Sequence, residues 1–107
     1  MITEEKTESA TMVIARTIIN QIKYSDRMAL MAWGANNFIA LEITKEFHGG
    51  VQFKVNGLRF KGYVHIQLRW VDDYTVSFLN IKGEVKKQVE GVYCDMLVEV
   101  IDWIEGK

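Results

Sequence analysis

Apolar side chains at Ala15, Ile18, Ile19 and Ile22 recur at the three-and-four spacing of one helical face. They predict a helix over about residues 8–23, with Thr7 or Ser9 placed to cap its first turn through a side-chain oxygen. Residues 1–7 read as a flexible polar lead-in, which leaves residues 8–107 as a single domain. Residues 24–37 permit two readings. Met, Ala and Leu favour a helix, and Ser25 could cap one. Alternation over 28–33 favours a short buried strand closed by a turn at 34–37, and the strand is the reading adopted.

From residue 38 the period shortens. "FIALEI" at 38–43 is strand-like, and "HGG" at 48–50 marks a turn. Val51, Phe53 and Val55 then alternate with Gln52 and Lys54, the two-residue period of a half-buried strand. Asn56-Gly57 is the favoured pair for a two-residue hairpin, because both turn positions need positive φ. That turn would set Val55 opposite Leu58, Lys54 opposite Arg59, Phe53 opposite Phe60 and Gln52 opposite Lys61. The following strand keeps Leu58, Phe60, Val64, Ile66, Leu68 and Trp70 on one face. A three-residue loop at 71–73 would pair Trp70 with Tyr74 and hold Val76 and Phe78 on that same face.

After Gly83 the spacing lengthens again. Val89, Val92, Met96, Val100 and Trp103 share a helical stripe, predicting a helix over about 88–104, with Gly91 as an alternative start. The expected architecture is a two-layer α+β domain: an N-terminal helix, an antiparallel sheet of four to five strands, and a C-terminal helix, both helices on the apolar sheet face.

Composition narrows the function classes. The chain has 107 residues, 49% hydrophobic and 25% charged, with a formal net charge of −1. That is an ordinary globular profile. A binder of nucleic acid must therefore work through a local patch, because the overall charge supplies no attraction. The single cysteine, Cys94, rules out a disulfide framework within the chain. The start "MITEEKTESA" lacks an apolar leader core, and the longest apolar run, "MALMAWGA", is too short to span a bilayer. The expectation is a cytoplasmic protein.

Signatures of catalysis are weak. Asp95, Glu99 and Asp102 share a predicted helix face; Asp72-Asp73 could oppose them, but acidic turns are common for their own reasons, so a solvated face is preferred to a metal site. Cys94 could pair with His48 or His65 only through the fold, and it sits among apolar and acidic residues that oppose a thiolate. No phosphate-cradling glycine spacing is present. The expectation is no enzyme, no cofactor and no metal.

Charge geography is more informative. The predicted polar sheet face carries Gln52, Lys54, Arg59, Lys61, His65, Gln67, Arg69, Thr75 and Ser77, and no acid. Tyr63 is the one aromatic predicted on that face. Asp95, Glu99, Asp102 and Glu105 make the last helix acidic. A cationic sheet face suits phosphate contacts without base readout, or an acidic protein surface.

The stretches "MAWGANNF", "GGVQFKVNG", "YVHIQLRWVDDYTVSFLNIKG" and "GVYCDMLVEVID", in this order, resemble a family of small uncharacterised proteins of bacteriophages, prophages and related mobile elements. The resemblance runs from about residue 10 to the end. It implies a setting among DNA-metabolism or accessory genes and no particular activity. The combined expectation is a non-enzymatic phage-like accessory protein that binds nucleic acid or a nucleoprotein complex through Lys54, Arg59, Lys61, His65 and Arg69. The alternative is a protein-binding accessory factor, such as an inhibitor of a host defence protein. A homodimer could form through an exposed edge strand or the 28–41 segment.

Overall fold

A computed structural model describes residues 10–106. Helix α1 (Ala10–Ser25) and a single turn of helix, α2 (Ala29–Ala32), precede five strands: β1 (Asn36–Ile43), β2 (Phe47–Asn56), β3 (Lys61–Arg69), β4 (Tyr74–Leu79) and β5 (Val85–Val92). A helical C-terminal segment follows, with α3 (Leu97–Ile101) between 3₁₀ turns at Cys94–Met96 and Asp102–Glu105. The strands form an open antiparallel sheet in the order β1-β2-β3-β4-β5. The fold is the expected α+β layer pair. Ile18 and Ile22 of α1, Trp33 after α2, and Leu97, Ile101 and Ile104 of the C-terminal segment are fully buried against Val51, Phe53, Val64, Ile66, Val76 and Phe78 of the sheet.

The N-terminal helix forms as its periodicity predicts; the cap expected at Thr7 or Ser9 lies outside the described residues. Residues 28–33 correct the strand reading. Ala29 and Trp33, four apart, are both buried, and the Trp33 N–H donates to the Ala29 carbonyl at 3.0 Å. An Asp26 carboxylate oxygen accepts the Met28 N–H and opens the turn. Alternation over six residues was compatible with either period; burial at i and i+4 is helical.

The turn expected at 48–50 lies four residues earlier, at 44–46. Thr44 Oγ1 accepts the N–H groups of Glu46 and Phe47, a side-chain mimic of a backbone turn, and Gly49 and Gly50 are interior to β2.

The hairpin register also differs. Asn56 pairs with Lys61, Val55 with Gly62, Lys54 with Tyr63 and Phe53 with Val64, so the loop spans 57–60. Lys54 does not face Arg59. The cause is tertiary. The Ile104 carbonyl accepts the N–H groups of Arg59 and Phe60, at 2.7 and 3.3 Å, and fastens the loop to the C-terminal segment. Gly57 is buried there; a Cβ would fall 2.5 Å from the Ile104 carbonyl oxygen. The glycine therefore serves a close approach between segments, and neither Asn56 nor Gly57 has positive φ.

The β3–β4 loop is longer than three residues, with Leu68 opposite Tyr74. Trp70 leaves the core face and donates its indole N–H to the Lys45 carbonyl at 2.9 Å. Residues 85–92 form a fifth strand, whose part from 88 on was expected as the start of the last helix; only 94–105 are helical.

Candidate nucleic-acid interface

A meander alternates its turns between the two ends of the sheet. The 57–60 and 80–84 loops therefore share one end, and the 44–46 and 70–73 loops the other. This alternation redistributes the expected cations. Lys54, Arg59 and Lys61 fall at the first end, where the 80–84 loop and the start of β5 add Lys82, Lys86 and Lys87. We call this the hairpin end.

Lys54 and Lys61 are exposed on the sheet face away from the helices, either side of the half-buried Tyr63: Lys54 is its cross-strand partner and Lys61 lies two residues along β3. Arg59 turns to the helix side. Its guanidinium carbon lies 5.5 Å from the Trp103 ring centroid, and the Lys87 ammonium nitrogen lies 5.2 Å from the same ring. Trp103 is held by contacts with Phe60 and Phe78, at 5.6 and 5.0 Å between centroids. Two cations, one from the 57–60 loop and one from β5, thus converge on one indole, whose π face attracts each and offsets part of their mutual repulsion. Of the acids at this end, Asp102 accepts the Trp33 indole N–H at 2.9 Å. Glu84 is bonded by Asn80 at 2.8 Å and lies 3.6 Å from Lys86, and the Asn80 bond holds its carboxyl below the usual range. Glu105 has one carboxylate oxygen buried without a hydrogen-bond partner among the described residues.

His65 and Arg69 are not part of this group. His65 sits mid-sheet in a neutral polar row with Gln52, Ser77 and Gln88, one per strand, in which Gln88 donates to Ser77 Oγ at 2.9 Å. Burial pushes its imidazole below the ordinary value, which disfavours the charged form that a phosphate would need. Arg69 lies at the far end and forks onto Asp73, with Nε to Oδ1 at 2.5 Å and Nη2 to Oδ2 at 2.9 Å. The bond holds the Asp73 carboxyl below its ordinary range and keeps Arg69 more firmly protonated. The sequence carried a signal for this pair, an acid four residues after an arginine across a turn, which the charge count of the sheet face passed over.

The Arg69–Asp73 bond has a pH signature. With the folded carboxyl depressed, its contribution to stability is complete above the ordinary carboxylate range and is lost as pH falls below that range. Urea midpoints between about pH 5 and pH 2 should fall less steeply in Asp73→Asn than in the wild type. Parallel profiles would show that the bond contributes nothing.

Among the described residues, no three His, Cys, Asp or Glu side chains gather into a metal-binding group. Cys94 is exposed. No described helix is long and apolar enough to cross a membrane. Comparisons of the chain with protein-family models, with curated proteins and with solved structures find no match.

Proposed function

We propose that the protein is a non-catalytic module that binds single-stranded nucleic acid at the hairpin end, with Lys54, Arg59 and Lys61 joined by Lys82, Lys86 and Lys87. The observation that carries this reading is the approach of Arg59 and Lys87 to one Trp103 ring, flanked on the other sheet face by Lys54 and Lys61 about Tyr63. Aromatic rings among lysines and arginines suit a flexible strand, whose phosphates meet the cations while its bases stack. Nothing in the arrangement reads base edges, so binding should be sequence-tolerant.

Fluorescence anisotropy with labelled oligonucleotides tests it. Single-stranded DNA or RNA should bind at low salt, with a log–log salt slope of about −2 to −4, reflecting roughly 0.7 per phosphate neutralised. No change in anisotropy with any single strand at low salt would sink the proposal. A second reading, a protein-binding factor, is favoured by a different surface: the apolar groove beside α1 and the edge of β1, which no other described strand pairs.

A further inference from the structure

An open sheet has two edges, and here they are guarded differently. β5 carries Lys86, Lys87 and Glu90, and its register breaks at both ends. Charges and bulges of this kind discourage pairing with another strand. β1 also breaks register, between Asn36 and Ile39, but its regular stretch Ile39–Ile43 carries neither lysine nor proline. Its one charge is Glu42, and Phe38, Ile39 and Ile43 are 48%, 52% and 40% exposed. Beside it, between α1, α2 and β1, runs a groove of about 660 Å³ whose lining includes Ile19, Leu30, Met31 and Phe38, with Arg16 and Lys23 as its charged members.

We propose that a second copy of the chain occupies this edge, pairing β1 with β1 in antiparallel fashion to join the two sheets. This narrows the protein-binding reading to one partner and is independent of what the hairpin end binds. The strand is self-complementary about Ala40. Ala40 pairs with Val51 of the buried face and Phe38 lies against the buried Phe53 ring, so 38, 40 and 42 fall on the groove side; 39, 41 and 43 fall on the outer side, with Ile39 at the rim of the groove. With Ala40 opposite Ala40 of the other copy, Ile39 meets Leu41 on the outer face. On the groove face Glu42 of each copy meets Phe38 of the other. The strand's only carboxylate is thereby delivered to the groove that Lys23 and Phe38 line together. Two-fold pairing uses both β1 edges at once, and the remaining edges are the guarded β5 strands, so assembly stops at a dimer.

Sedimentation equilibrium on the full chain tests the inference. The wild type should dimerise. Ile39→Lys, at a half-exposed position on the outer face, should weaken the dimer by about tenfold or more without changing far-UV circular dichroism. Glu42→Lys should also weaken it, and Lys23→Glu combined with Glu42→Lys should restore it. A monomer at concentrations of about 1 mM overturns the pairing and leaves the protein-binding reading to a different partner. A dimer indifferent to Ile39→Lys, or one that the double exchange fails to restore, also overturns it.

Discussion

Trp33→Ala should cost about 3–5 kcal/mol of folding free energy, the range for removing a large buried aromatic. Trp33 is fully buried, and its ring lies parallel to that of Phe53 with centroids 6.3 Å apart. Its indole N–H donates to Asp102, and its carbonyl accepts the Asn56 N–H at 2.9 Å. One residue thus ties α2, the end of β2 and the C-terminal segment together. Small domains are stable by roughly 5–15 kcal/mol, so the variant should be substantially unfolded at moderate temperature. Trp33→Phe separates the contributions. It keeps a ring against Phe53 and drops the bond to Asp102, which is partly exposed and can be re-solvated, so its cost should be about 1 kcal/mol. Urea unfolding measures both. A loss under about 1 kcal/mol for Trp33→Ala would mean that the α2 segment is not docked as described.

Gly50→Ala should be nearly as damaging, at about 3 kcal/mol, the upper end of the usual cost of overpacking. A Cβ at Gly50 would lie 2.2 Å from the Ile66 carbonyl oxygen and 2.8 Å from the Gln67 Cα. Both atoms are backbone of β3, so no side chain can swing aside; the strand itself must move. The β2–β3 register shifts between Phe47 and Gly50, and the bare glycine is what lets β3 close over that irregularity. In a chain of this size, each kcal/mol should lower the melting temperature by roughly 4–8 °C. Thermal denaturation followed by circular dichroism would show the loss. A melting temperature within a few degrees of wild type, about the size of a surface substitution, would show that β3 has room there.

The layers of the fold were legible because face assignment depends only on parity. The β2–β3 pairing differs from the expected register by four residues, an even number, so Lys54, Lys61 and Tyr63 stay on the outer face and Phe53 and Val64 on the inner one. The register itself was not legible, because the 57–60 loop is set by the Ile104 carbonyl, more than forty residues away in sequence. The part of β5 from residue 88 on was read as helix for a local reason. Tyr74 pairs with Val92 and Val76 with Val89, so three steps on β5 match two on β4. That bulge spaces the inward valines by three residues, which mimics a helical stripe. Losing β5 from the sheet also hid Lys86 and Lys87, and with them the gathering of cations at one end.

The hairpin-end assignment is tested most directly by comparing salt slopes of single-strand binding. One variant combines Lys54→Ala, Arg59→Ala and Lys61→Ala, and the control is Lys45→Ala, an exposed lysine in the 44–46 loop at the opposite end of the sheet. Removing three phosphate contacts should make the log–log slope shallower by about 2 and weaken binding on the order of a hundredfold at low salt. Lys45→Ala should leave slope and affinity at wild-type values. Equal losses in the two variants, or an unchanged slope in the triple variant, would contradict the account.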